Sequence, residues 1–216
     1  AQKKFERRGF NFLGGMTAGY YGPYVWKNTT EEAYQVEIPG GTESVKVFWM
    51  EGFVTRGLLS WLSGDEVGAG GWAKKEGLYC VRKVYEKILD GPDFSISFLK
   101  HEAQHKHDFK YQGLESYKLE YRAKLVELIY YPAAGFLKSL NLSKDFSNKG
   151  NSHAYAAAKI MSDLEKIYKD GFGKNDFDLF VGELINNEEA WNKHGGFIRR
   201  SAERLLGEDT KRLEQR

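Results

Sequence analysis

Residues 101–105 read HEAQH, two histidines four positions apart with a glutamate directly after the first. On an α-helix such histidines stand one turn apart on the same face. Both imidazoles can then reach one divalent ion at about 2.0–2.1 Å. Glu102, rotated by about 100° from His101, falls beside that ion rather than on it. There its carboxylate can take a proton from a water whose pKa the metal lowers to about 7. The chemistry that suits this spacing is metal-assisted hydrolysis with Glu102 as general base. The bland reading is an ordinary helix with histidines on its exposed face. From the chain's own His and Glu content, accident would give the pattern in about one such chain in a hundred, so a third ligand has to be found.

Catalytic zinc usually takes three protein ligands and a water. A histidine six residues after His105 would be one solution, but Tyr111 stands there, and no cysteine is near. The next segment, LESYKLEYRAKLVELIYY from Leu114 to Tyr131, offers Glu115, Glu120 and Glu127. Glu120 leads, because Ala123 three residues on would let this helix approach the first closely. Glu127 lies about two turns further along the same stripe. It could be the ligand instead, or could orient His101 or His105 through the second ring nitrogen. Glu115 is the remaining choice. A di-iron carboxylate centre would need Glu-x-x-His on two helices. Glu102 and His105 supply one, but Gly150 and Trp191 occupy the positions that His153 and His194 would require.

HEAQH followed by LEYRAKLVEL resembles the zincin metallopeptidases whose third zinc ligand is a glutamate on the helix after the motif, the gluzincin pattern. More narrowly, it is similar to uncharacterised bacterial proteins with an HEAQH segment and an ELEYRAKL-like helix. The resemblance spans Phe94 to Tyr131. It implies a Zn²⁺ metallopeptidase in which His101, His105 and Glu120 bind the metal and Glu102 is the base, acting on a peptide or protein substrate. Thermolysin-like members carry an acidic residue four positions after the ligand glutamate, where this chain has Lys124. Related hydrolases often place a downstream His or Tyr to donate a hydrogen bond to the developing oxyanion. His153 is the catalytic candidate for that work, at an expected helix N-terminus where the dipole favours neutral imidazole. Its competing reading is a surface histidine near a cap. Tyr155, Tyr130 and Tyr131 stand behind it. His107 reads as solvent-facing, and Asp108 as a helix-surface carboxylate or a partner behind His105.

The elements that must hold these residues fall into two lobes. Residues 1–92 are rich in β and loop signals, with glycines clustered in FLGGMTAGYYGPY and SGDEVGAGGW. SVKVFWMEGFV, Ser44 to Val54, has the β-branched and aromatic content of a strand, and GLYCVRKVYEKIL is expected to begin as one. Gly68, Gly70 and Gly71 break the dinucleotide-loop frame at Ala73 with no helix onset behind them, so they read as a hairpin or lid loop. Tyr20, Tyr21, Tyr24 and Trp26 are expected in the core rather than along a substrate groove. From Asp93 helical spacing takes over. Phe94, Phe98, Glu102, His105 and Phe109 recur behind Pro92. Further helices are expected over 114–131, ended by Pro132, from Asn151 or Ser152 to Gly171, around 176–187 and over 196–216. The expected fold is α+β: one domain, 1–216, whose mixed sheet in lobe 1–92 packs on the HEAQH helix, and whose helical lobe 93–216 carries the metal site in a zincin-like core.

Bulk properties narrow the classes. The 216 residues are 41% apolar and 15% aromatic, enough for a packed core. A net charge of +2 lends no support to nucleic-acid or anionic-membrane binding. Cys80 is the lone cysteine, which excludes an intramolecular disulfide and a zinc ribbon. No apolar run approaches the roughly 20 residues of a membrane span. AQKKFERRGF lacks the apolar centre of a signal peptide, and the compartment stays open between cytoplasm and export, as does the oligomeric state. Two rivals to a peptidase remain: a zinc-containing binding protein without turnover, and a hydrolase of a non-peptide amide or ester. Glu102 favours chemistry, because a purely structural zinc needs no base.

Overall fold

A computed structural model describes residues 1–17 and 20–215. The protein is α+β and divides into two compact units, Ala1–Gln35 with Ser44–Phe94, and Val36–Glu43 with Ser95–Arg216. The second segment boundary thus falls at Phe94, and the hairpin tip Val36–Glu43 belongs to the helical unit.

In chain order the first elements are α1 (Gln2–Glu6), β1 (Asn11–Leu13), β2 (Met16–Thr17), β3 (Tyr20–Tyr21), β4 (Tyr24–Trp26), β5 (Asn28–Ile38), β6 (Gly41–Glu51) and β7 (Thr55–Arg56). Then come α2 (Leu58–Leu62), β8 (Gly71–Lys74), β9 (Gly77–Val81), α3 (Arg82–Tyr85) and α4 (Pro92–Phe94). The sheets have the orders β1-β4-β7, β2-β3 and β5-β6-β9-β8. The largest is mixed: β9 runs parallel to β6, with Val47 opposite Leu78, and antiparallel to β8. The strand expected over Ser44–Val54 is β6, which starts at Gly41 and stops at Glu51. Its neighbour β5, NTTEEAYQVEI, was not singled out in the sequence, although Tyr34, Val36 and Ile38 alternate with polar residues towards its end. The GAGGW glycines lead into the β8–β9 hairpin. Gly71 is needed there, since a Cβ would strike the Tyr79 carbonyl oxygen of the paired strand. Tyr24 and Trp26 are core residues together with Met50, Ala69 and Val81, and Tyr20 packs against them, whereas Tyr21 is exposed. Gly19, in the other glycine cluster, lies outside the described residues.

The second unit opens with a π-helical turn, Ser95–Lys100, running directly into α5 (His101–Asp108). After it come α6 (Ser116–Tyr130), α7 (Gly135–Ser143), α8 (Ser152–Phe172), α9 (Phe177–Asn186) and α10 (Glu188–Glu214). The spacing from Phe94 to Phe109 predicts one continuous helical face. The structure departs from this because the π turn, with its i→i+5 bonds, shifts the phase. Leu99, His101, Ala103, Gln104 and Asp108 are the buried positions, and Phe109 is exposed.

Central to the bundle is α6, which packs against α5, α8 and α10. Arg122, Ala123, Leu125, Val126 and Leu128 on it are all buried. It ends as Pro132 requires: Tyr131 takes the extended backbone that a following proline imposes. Asn151 caps α8 by accepting from the Ala154 N–H at 3.3 Å. That helix runs past the expected Gly171 to a left-handed stop at Gly173, φ 65°. α10 starts well before Gly196, because Asn187 accepts from the Ala190 N–H at 3.2 Å and Glu188 and Glu189 complement the helix dipole. Arg216, at the expected end of this helix, lies outside the described residues. No helix among the described residues is long and apolar enough to cross a membrane.

Ala123 is completely buried on the most enclosed helix. Ala123→Leu should therefore overpack the bundle and cost about 1–3 kcal/mol, read as a lowered urea midpoint with unchanged slope.

Candidate metal centre

Three of the expected residues converge. His101 and His105 on α5 and Glu120 on α6 offer ligand atoms that all lie within 4.8 Å of one another. The Nε2 atoms of His101 and His105 are 2.9 Å apart. Glu120 brings Oε2 to 3.5 Å from His101 Nε2 and Oε1 to 3.4 Å from His105 Nε2. Donors about 2.0–2.1 Å from a tetrahedral ion stand roughly 3.3–3.4 Å from each other, so this spacing fits a small divalent cation.

The tautomer of His101 is set from behind. Its Nδ1 lies 2.6 Å from Glu127 Oε1, a buried contact in which the ring N–H donates to the carboxylate. The proton is then on Nδ1, and Nε2 presents a lone pair to the centre. Glu127 accordingly backs His101, the second of the two roles the sequence allowed it. Glu115 is exposed and paired with Lys149 Nζ at 2.6 Å, away from the cluster.

Glu120 Oε2 is buried and faces His153 Nδ1 at 2.9 Å, an ion-pair contact outside hydrogen-bond alignment. The back nitrogen of His105, Nδ1, is buried and has no hydrogen-bond partner among the described residues. Burial pushes the Glu120 carboxyl up, but the imidazoles of His105 and His153, with the charge of His101, outweigh it and hold it well below the usual carboxylate range. Burial pulls His105 down, and Glu120, ahead of Glu102 and Asp108, reverses this to leave it raised. A buried, ionised carboxylate beside two imidazoles is a donor set of the kind that can hold a cation.

Glu102 is half-buried, and among the described residues no hydrogen bond or ion pair engages its carboxylate. It is close enough to act on the charge of His105. His153 sits in the first turn of α8, its side chain 63% exposed, with its ring near-parallel to that of His101 at 6.4 Å. The tyrosines behind it are engaged elsewhere: Tyr155 packs edge-on to Tyr117 and Phe146, Tyr130 lies under Lys100, and Tyr131 stacks on Phe136. Lys124, where the thermolysin-like pattern has an acid, extends over Phe136.

One sequence expectation is corrected, and of the two readings of Asp108 the surface one falls. His107 is not solvent-facing. Its Nδ1 meets Glu43 Oε1 at 3.0 Å and its Nε2 accepts from Lys110 Nζ at 2.8 Å, which ties α5 to the hairpin tip. Lys100 Nζ also donates to the Glu37 carbonyl of that tip. Asp108 is not a surface carboxylate but wholly buried, because a guanidinium neutralises it: Arg122 Nε donates to Oδ2 at 2.8 Å. Arg122 is itself buried, and its other nitrogens donate to Asp209 Oδ2 at 2.9 Å and Thr210 Oγ1 at 3.1 Å on α10. Sequence reasoning missed this network. Its only trace was a charged residue inside the apolar stripe of LEYRAKLVEL.

No family model, curated protein or solved structure matches this chain.

Removing the charge of Asp108 breaks the wholly buried pair and leaves the guanidinium with Asp209 as its remaining counter-charge. Asp108→Asn should lower unfolding free energy by about 3–5 kcal/mol, measured by urea unfolding of the metal-free protein.

Proposed function

We propose that this protein is a zinc-dependent metallohydrolase cleaving peptide bonds, on a zincin-like core. The observation that carries the reading is the convergence of His101, His105 and Glu120 into one cluster of possible ligand atoms, with the half-buried carboxylate of Glu102 near enough to act on the charge of His105. Two imidazoles and one carboxylate are the protein ligands of a catalytic rather than a structural zinc, which leaves a position open. When bound, zinc supplies Lewis acidity, lowering the pKa of water and polarising a carbonyl.

The chain's own residues do the rest. Glu102 accepts the proton of the attacking water and hands it to the leaving nitrogen. Glu127 holds the His101 ring in the tautomer that turns Nε2 inward. His153 faces Glu120 through Nδ1, so a neutral imidazole with its proton there orients that carboxylate. Its service to an oxyanion requires the proton on Nε2 instead. The peptide bond as substrate is supported by the gluzincin-like pattern of residues 94–131, and a non-peptide amide or ester would use the same groups.

Metal analysis should find close to one zinc per chain in the wild type. Glu120→Ala should lose it, and Glu127→Ala should bind about 10–100-fold more weakly. Glu102→Gln should keep full zinc content and lose cleavage of a peptide library. Equal cleavage by wild type and Glu102→Gln would overturn the catalytic assignment, while a loaded wild type that cleaves neither peptides nor simple esters would mark a binding protein.

A further inference from the structure

We infer that Arg122 is a positioning residue for the metal centre, setting the axial register of α5 on α6 through a buried charge cluster that α10 completes. The inference rests on the zinc reading above. His101, His105 and Asp108 follow each other at steps of four and three residues, one per turn along one face of α5. Each has its own tie to α6: His101 to Glu127 at 2.6 Å, His105 to Glu120 at 3.4 Å, Asp108 to Arg122 at 2.8 Å. Helical side chains lean toward the N-terminus of their own helix, so Arg122 reaches back to serve the C-terminal end of α5 although it follows Glu120 in sequence. A slip of one turn, about 5.4 Å, would break all three ties together.

The Arg122 tie differs from the other two in its stringency. Arg122 and Asp108 are 1% and 0% exposed, so any register that separates them breaks an ion pair out of water and leaves Asp108 no counter-charge. Both carboxylate oxygens of Asp108 are engaged, Oδ1 by Gln104 Nε2 at 2.8 Å and Oδ2 by Arg122. All three guanidinium nitrogens are engaged as well, on α5 and on Asp209 and Thr210 of α10. The Tyr111 ring lies against the guanidinium at 5.5 Å. A planar fork fixed on three sides has one direction, and a lysine ammonium could not reproduce it. The helix α10, which contributes no ligand, thereby governs how accurately His105 and Glu120 meet.

The test uses the full chain carrying Arg122→Lys, Arg122→Met or Asp209→Asn. Three quantities are read: zinc affinity by chelator competition, the visible absorption of the Co²⁺-substituted protein, and urea stability. A role in stability alone would lower the urea midpoint and leave the folded protein's metal affinity and cobalt spectrum untouched. Positioning predicts that both Arg122 variants, folded by circular dichroism, bind zinc at least tenfold more weakly and show a changed cobalt band. Lysine should fail to rescue, and Asp209→Asn should shift both readouts the same way by less. If Arg122→Met does not fold, the other two variants decide. Wild-type affinity and spectrum in folded variants would overturn the inference while leaving the metal centre standing. A wild type that takes up no zinc would overturn the metal reading and this inference with it.

Discussion

Everything at the candidate centre depends on a polar seam buried between two helices. A carboxylate or imidazole taken out of water must be matched inside the protein or it destabilises the fold by several kcal/mol. The seam meets this constraint by pairing: His101 with Glu127, Asp108 with Arg122 and Gln104. Among the described residues, the buried side-chain atoms of the seam without a hydrogen bond include Gln104 Oε1, His105 Nδ1, Tyr111 Oη and Glu120 Oε2. The apolar side chains that enclose α6 provide most of the burial, and the seam decides which arrangement of the helices that burial stabilises.

In the metal-free chain the same imbalance appears as electrostatics. Glu120 stays ionised despite burial because imidazoles surround it, and His105 is more basic than usual because carboxylates do. Protons and a divalent cation are alternative occupants of such a site, since ligands must be deprotonated to bind metal. Under the zinc reading proposed above, Glu127 would direct the lone pair of His101 toward the ion.

Much of this was legible in the sequence, for reasons that differ from residue to residue. His101, Glu102, His105 and Glu120 could be singled out because they sit on consecutive helices, where periodicity tells which residues share a face. The stops at Pro132 and the cap at Asn151 were legible from local backbone chemistry. The π turn over Ser95–Lys100 was not, since an extra residue in one turn leaves no compositional mark, and it moved the buried face off Phe109. The start of α10 lies ahead of the helical pattern expected from Gly196 on, and glycine at 195 makes room inside that helix, where a Cβ would crowd the Trp191 indole. The partners of Arg122 lie 14, 87 and 88 positions away. Pairings at that distance, like that of His107 with Glu43 64 positions away, have no periodic trace, so His107 was read as solvent-facing and Asp108 stayed open between the helix surface and a place behind His105.

All three donors to the candidate centre come from residues 101–120. Drawing them together in a denatured chain closes only a short loop, for which the entropic penalty is modest. Under the zinc reading, the denatured ensemble would thus retain part of the chelate, and zinc would raise the unfolding free energy by less than its affinity for the native protein implies.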